Sequence, residues 1–582
     1  MAPTNPPSPP LVLRLRGSQA AMGAQHGALL ERFGGYGAIT DFYPTMAARM
    51  LSLGVPHAAR RPARAVFGAA LTAAAQVLHR HRRQRFPQYL ARNEAMLDAA
   101  GLPRRTAAAM LTMDVLQNAV GVLGRAGAFP AHFASFAAVP ACSSVAVWGG
   151  ASSDGALRHA RNFDFPGAPL WSAQPAVVFC DPDEGLRYGF VTTRGADLPG
   201  VTGFNEAGLT VTAHTRFHRD VRGVGASIAD LGHELVRRAR SLDDAVSIAR
   251  EVGASSSWGF LVSSAAEESA VVVETSGNAV EVTRPHRDAE HLACTNRYLA
   301  APLREGQVTS SAAFAIDSDA RCHRLDERVR EAVGGLSGDD LEALLGDFRA
   351  PDASDADDGV QRLSGDCVVS AMAAQSVVAE PASRQIRVSV GRAPTGLGPY
   401  VSVPWSWDGE VGAVPLESSA GAATGRSHRG GALSEHDRET ARMYADAGQA
   451  HIEGAAPREL RRRFEALVQR APREPGFRTV AAFFAMIDGE LAAAREHLRV
   501  ALSLEHGPVR RARLLLWQSR VLTAMGEARE ADALRGELLA TTGEATRALR
   551  DEAAEDQRRP VTRGRLRRVV PEVFLIDAAL TV

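Results

Sequence analysis

Residues 141–150, ACSSVAVWGG, and residues 156–165, ALRHARNFDF, decide how this chain is read. A small residue, a cysteine and two serines open a β-prone run. An Arg-Asn-Phe-Asp cluster stands about twenty residues beyond the cysteine. Packing alone does not ask for a sulfur nucleophile at the head of one strand and a cation with a carboxylate on the next. We therefore read Cys142 as a nucleophile that becomes a new N-terminus when the chain cuts itself after Ala141.

The chemistry follows from that placement. A cysteine attacks as its thiolate and needs a base or a neighbouring cation. A terminal α-amine, with a reference pKa near ~8, can be that base, so no catalytic histidine is required. Ala141 is small and lets its carbonyl approach the thiol for an N-to-S acyl shift. Arg161 favours the thiolate, and Asp164 can accept from the new ammonium. In a regular strand Arg161 and Phe163 face one way while Asn162 and Asp164 face the other. A bend before Pro166 is thus expected to bring Arg161 and Asp164 to one site; a surface ion pair is the plainer alternative.

Acyl transfer also needs a donor aimed at the developing oxyanion, worth roughly 3–4 kcal/mol. Asn205 in VTGFNEAGLTVTAH and Asn296 in LACTNRYL are candidates, because an amide donates without titrating. Asn-Glu-Ala-Gly at 205–208 equally suits a hairpin turn, and both readings of Asn205 stay open. His159, His214 and His218 show no ligand spacing and receive no role. Trp148, Phe163, Phe165, Trp171 and Trp258 read as core, with an acyl pocket as the alternative.

Working outward, the period changes from helical to alternating at Cys142. Residues 1–10 read as a disordered leader and 11–141 as a mainly helical segment that opens with a short strand. Within it, Arg80, Arg82, Arg83 and Arg85 end a long helix. They complement its dipole or meet an anionic surface. Residues 142–415 hold strands in groups interrupted by helical stretches. ASIADLGHELVRRARSLDDAVSIAREVG reads as one amphipathic helix, and QSVVAEPASRQIRVSVG as a hairpin. This pattern predicts an α+β fold of stacked antiparallel sheets covered by helices. Residues 416–436 read as a flexible linker. Residues 437–582 are almost wholly helical, with Gly489 and Gly526 in matching positions 37 residues apart. That period resembles tetratricopeptide repeats and implies either a helical cap or a groove for a peptide or protein partner.

The bulk numbers exclude several classes. In 582 residues, Lys+Arg and Asp+Glu are both 66, which gives no reason to expect nucleic-acid binding. Five scattered cysteines argue against a disulfide framework or a structural zinc site, so neither metal nor cofactor is expected. No segment reads as a signal peptide or membrane span, and a cytoplasmic location is the default.

Six stretches in order carry a resemblance: LRGSQAAMGAQHGALL, PACSSVAVWGG, HARNFDF, GFNEAGLTV, CTNRYL and QSVVAEPASRQIRVSVG, across roughly residues 11–405. Together they resemble the acyl-coenzyme A:6-aminopenicillanic acid acyltransferase family, autoproteolytic members of the N-terminal nucleophile (Ntn) hydrolase superfamily. The resemblance implies an αββα sandwich, cleavage between Ala141 and Cys142, and Cys142 as nucleophile. It places Arg161 and Asp164 around the sulfur and makes Asn296 an oxyanion donor. Many relatives have Gly-Cys-Thr at the junction where this chain has Ala-Cys-Ser. The expected substrate is an N-acyl amine, amide or acyl thioester, acyl-CoA among them. Two alternatives stand beside it: a peptidase-like hydrolase of small peptides or N-acyl amino acids, and a non-catalytic helical-repeat scaffold.

Overall fold

The computed structural model describes residues 10–34, 45–49, 51–52, 55, 59–126, 141–308, 312–348, 367–416, 434–573 and 579–580. The leader and most of the expected linker lie outside the described residues.

In chain order the strands of the two large sheets are β1 (Leu11–Gly17), β2 (Cys142–Gly149), β3 (Gly155–Asp164), β4 (Pro175–Pro182), β5 (Tyr188–Thr193), β6 (Thr202–Asn205), β7 (Leu209–Thr215) and β8 (Trp258–Ser264). They continue with β9 (Ser269–Thr275), β10 (Val280–Thr283), β11 (His291–Cys294), β12 (Ala373–Glu380), β13 (Gln385–Ser389), β14 (Tyr400–Pro404) and β15 (Gly412–Pro415). One sheet has the order β10-β9-β8-β7-β6-β5-β4-β1-β15. The other has the order β11-β2-β3-β12-β13-β14. Pairing is antiparallel throughout except for β1 alongside β4, which is parallel. The alternating runs of the sequence thus become strands where expected, including the hairpin β12–β13.

Apolar burial explains the layering. Ala146 and Trp148 of β2 pack on Leu261 and Val272 of the larger sheet. Val177 and Phe204 pack on Val377 and Val388. These two clusters hold the sheets face to face. The outer face of the smaller sheet, through Val145, Ala160 and Val378, packs on Leu325, Leu341 and Leu345 of two helices. The outer face of the larger sheet takes Leu231, Leu235, Val246 and Ala249 of two others. The result is four layers, αββα, as the resemblance implies.

The longer helices of this part are α1 (Gln19–Phe33), α2 (Arg60–Arg85), α3 (Pro87–Ala99), α4 (Thr112–Arg125), α5 (Ile228–Arg238), α6 (Leu242–Val252), α7 (Ala312–Glu331) and α8 (Gly338–Leu345). The single helix expected over 226–253 is two, α5 and α6. Ala239 turns extended, and the Ser241 side chain accepts from the Asp244 backbone N–H to start the second. Arg82, expected among the dipole-complementing cations, is buried and paired to Asp230 of α5 at 2.7 Å. Arg92 of α3 is likewise buried against Asp197 at 2.9 Å. These pairs fasten the N-terminal helices to the sandwich, and removing one partner leaves an uncompensated buried charge.

The C-terminal region is α9 (Glu435–Glu453), α10 (Pro457–Arg470), α11 (Pro475–Asp488), α12 (Leu491–Leu504), α13 (Pro508–Met525), α14 (Ala528–Leu539) and α15 (Arg547–Arg558). Gly489 and Gly526 end α11 and α13 in the left-handed conformation, at φ 84° and 92°. Tyr444, Phe464 and Phe477 share one buried cluster with Leu51 and Leu71 of the N-terminal segment. No described helix is long and apolar enough to cross a membrane.

Helix α1 carries Gly23 and Gly27 one turn apart. A Cβ at either position would run into the backbone of α3, at Arg92 O and Met96 O respectively. Gly27→Ala therefore tests this close approach. Alanine is the better helix former by about 1 kcal/mol, while overpacking costs about 1–3 kcal/mol. A lowered thermal midpoint is expected, because the obstructing atoms are backbone; an unchanged or raised midpoint would show that α1 is free to shift.

Candidate functional site

Strand β2 begins at Cys142, which pairs with Phe163 of β3, while Ser144 pairs with Arg161. The Thr212 hydroxyl of β7 donates to Ser144 Oγ at 3.1 Å, so Ser144 faces the space between the sheets. Cys142, two residues earlier, shares that face. Arg161 points the same way. Its guanidinium donates to Ala213 O of β7 at 2.7 Å and to Cys142 Sγ at 3.5 Å. Asn162 points outward and donates to Leu345 O at the end of α8, at 2.8 Å. The pairing of β3 with β12 is irregular at Asp164, and the chain turns at Pro166. β3 runs on to Asp164, and both Arg161 and Asp164 act electrostatically on the sulfur at the strand ends.

Cys142 is 1% exposed. Its backbone N–H donates to Asn296 Oδ1 at 2.8 Å. Asn296 thus works here as an acceptor, and its Nδ2 turns to Thr215 O at 3.3 Å. One hydrogen of the Asn296 amide is thus directed to a backbone carbonyl of β7. The same Oδ1 accepts from Arg321 at 2.9 Å. Arg321, on α7, also donates to Cys142 O at 2.7 Å, to Ser143 Oγ at 2.9 Å and to Asp317 at 2.9 Å. Sequence reading missed this residue. ARCHRLDERVREAVGG reads as an ordinary charged helix, and only the Asp317–Arg321 spacing of four hints at a pre-paired cation.

Asn205 is elsewhere in function. Its Nδ2 donates to Val236 O and Ala239 O at 3.0 and 2.8 Å, and its Oδ1 accepts from Ala207 and Leu209 N–H. Every hydrogen-bonding capacity of that amide is engaged in joining the β6–β7 turn to the end of α5. The turn reading therefore replaces the oxyanion reading for Asn205.

Burial sets the protonation states. It raises the Cys142 thiol above its ordinary range, against the pull of the Arg161 cation. It pushes Asp164 up to about 8, with Arg321 opposing. Neither Asp164 carboxyl oxygen has a hydrogen-bond partner among the described residues. In the uncut chain, then, thiol and carboxyl both sit neutral at pH 7. His159 is satisfied between Ser263 Oγ at 2.9 Å and Thr212 Oγ1 at 3.0 Å. Phe163, Phe165 and Trp171 pack ring against ring. No cluster of His, Cys, Asp and Glu suited to a metal occurs among the described residues. A cavity of about 540 Å³ lies between α2, α4 and residues 221–223, and none of the site residues lines it.

Residues 153–351 match the family model for acyl-coenzyme A:6-aminopenicillanic acid acyl-transferase. The match takes in Arg161, Asp164, Asn205, Asn296 and Arg321, and Cys142 lies just ahead of it. It supports an acyl-transferase or amidase type of function. No curated protein matches the chain. Among solved structures, penicillin V acylase from Agrobacterium tumefaciens is 12% identical with a TM-score of 0.28, covering 45% of this chain and 86% of that one.

Asp164 makes a pH test possible. Its carboxyl ionises near ~4 in an unfolded chain but only at about 8 in the folded one. Raising the pH between those values therefore favours unfolding. In a Cys142→Ala chain, Asp164→Asn should raise the thermal midpoint, and by more at about pH 7.5 than at about pH 5. Asp114, raised by burial to about 7, leaves a residual slope in the same direction. An equal effect at both pH values would show that Asp164 is ionised when buried.

Proposed function

We propose that the chain is an autoprocessed cysteine amide hydrolase or acyltransferase. Cleavage between Ala141 and Cys142 turns the Cys142 amide nitrogen into an amine, already addressed by Asn296 Oδ1 at 2.8 Å. That contact is the observation that carries the reading: the atom that would become the base has its acceptor in place beside the sulfur. Cleavage itself begins with Sγ attacking the Ala141 carbonyl. The carbon–nitrogen bond breaks, the nitrogen takes the thiol proton, and water then frees the thioester.

In the cut enzyme the amine takes the proton of Cys142 Sγ, and Arg161 stabilises the thiolate. The new ammonium gives the buried Asp164 a cation to face, which draws its carboxyl toward ionisation. The thiolate attacks the carbonyl of an N-acyl amine, amide or acyl thioester. The leaving group takes the proton back from the ammonium, and water or an amine releases the acyl group from sulfur. Arg321 keeps the Cys142 backbone fixed through both steps.

We further read residues 437–582 as a tetratricopeptide-like helical unit beside a hydrolase unit over 142–415, with its helical hairpins offered to a peptide or protein partner. Five free thiols fit a reducing compartment and hence a cytoplasmic location.

Intact-mass measurement on the purified protein should find two fragments separating at Ala141–Cys142, and Cys142→Ala should remain one chain. A thiol-directed acylating probe should label Cys142 in the cut protein. A single uncut wild-type chain that the probe leaves unlabelled would remove the enzymatic reading and leave the scaffold.

A further inference from the structure

Among the described residues, most donors near Cys142 already have partners. Both hydrogens of the Asn205 amide go to helix carbonyls. The Asn296 amide nitrogen turns to Thr215 O. All three nitrogens of Arg321 are engaged, with Asp317, Cys142 O, Ser143 and Asn296. Arg161 directs one terminal nitrogen to Ala213 O and the other to Cys142 Sγ.

His214 and Arg161 Nε are the groups left over. His214 lies on β7 two residues beyond Thr212, whose hydroxyl meets Ser144 across the inter-sheet space. Strand alternation puts His214 on that same inner face, level with Cys142, which stands two residues from Ser144. The ring is buried, feels the charges of Arg161, Arg216 and His159, and has the Cys142 backbone within weak hydrogen-bonding reach. Neither Nδ1 nor Nε2 makes a well-formed hydrogen bond among the described residues, so the ring keeps capacity on the side of Cys142. Buried polar groups are rarely left so, because an unmade hydrogen bond costs about 1–3 kcal/mol.

We propose that His214 is a catalytic residue, its ring N–H held ready for the oxygen of the tetrahedral intermediate formed on Cys142. This rests on the acyl-enzyme reading above. In the step, the Sγ–carbon bond forms as the carbonyl π pair moves onto oxygen. His214 donates a hydrogen bond to that oxygen and keeps its proton. The intermediate collapses by reforming C=O and expelling the leaving group, which is protonated by the Cys142 ammonium. Burial, with the cations of Arg161 and Arg216 nearby, holds the imidazole well below its usual pKa. It therefore stays neutral, with one N–H to give. A neutral donor does not compete with Arg161 for the thiolate, and this separates the two tasks.

The experiment compares His214→Ala and His214→Asn with the wild type in the full-length cut protein. The readouts are acylation by a chromogenic acyl thioester and a thermal melt of each protein. The alanine variant should lose roughly 10²–10³-fold in kcat with little change in KM, as for the removal of one oxyanion donor. His214→Asn, which restores a neutral N–H, should recover at least about tenfold of that loss, and the thiol titration seen in the pH–rate profile should stay in place. Equal loss in both variants, or a shifted thiol titration, would mean that the ring positions or titrates and would overturn the donor role. Wild-type rates in both variants would also overturn it and leave Arg161 Nε, likewise without a partner, as the remaining donor. A wild-type protein that does not acylate at all removes this proposal together with the reading beneath it. Should the alanine variant fail to fold, the His214→Asn comparison alone decides: a full loss of kcat in a folded asparagine variant refutes the donor role.

Discussion

A guanidinium removed from water must find a counter-charge and an acceptor for each face of its fork, or it is expelled. Arg321 meets that constraint with Asp317, Cys142 O, Ser143 Oγ and Asn296 Oδ1. The consequence is geometric. Helix α7 is tied to the first two residues of β2, and Asn296 is tied to both. The head of β2 thus cannot slide relative to β11 or to the outer helical layer without breaking a charge-assisted bond. Everything proposed for Cys142 depends on that rigidity, because a nucleophile at a chain end would otherwise fray like any terminus.

The same burial that fixes the site silences it. In the uncut chain the thiol is held above its usual range and Asp164 is pushed up to about 8, both mainly by removal from water. A neutral thiol beside a neutral acid is a poor nucleophilic pair at pH 7. Creating an α-amine changes this in one stroke, since it introduces both a base and a cation into a low-dielectric space where each counts heavily. On the proposed reading, autoprocessing would act as an electrostatic switch as well as removing a blocking peptide bond. Arg161 contributes in both states, and its cation is the part of the site that does not depend on cleavage.

Much of this was readable from residues alone. Strand positions followed from alternation, as in SSVAVW and LTVTAHT, and the layered class followed from their grouping. The meeting of Cys142, Arg161 and Asp164 was legible because a thiol, a cation and a carboxylate fall on two strands that pair. Three things were not legible. The break between α5 and α6 depends on Ala239 turning extended, which no periodicity reveals in a run that is amphipathic on both sides. Asn205 and Asn296 have the same residue type in similar local settings. Their different roles are set by α5 in one case and by Arg321 in the other, both distant in sequence. Arg321 itself looks like any i,i+4 surface pair until α7 is docked.

Docking also explains why so many charges are buried outside the site. Arg82–Asp230 and Arg92–Asp197 join the N-terminal helices to α5 and the sheet beside it. Isolated buried pairs stabilise little, since desolvation offsets attraction, but they penalise any register in which the partners miss. Close packing at Gly23 and Gly27 adds a steric penalty with the same selectivity. Apolar α-helices could otherwise slide along the sandwich with small changes in buried area. Pairs that tolerate one register only are therefore the physical means by which the N-terminal segment is held in place. That segment leads into Cys142, so on the proposed reading its placement bears on how the sulfur meets the carbonyl of Ala141.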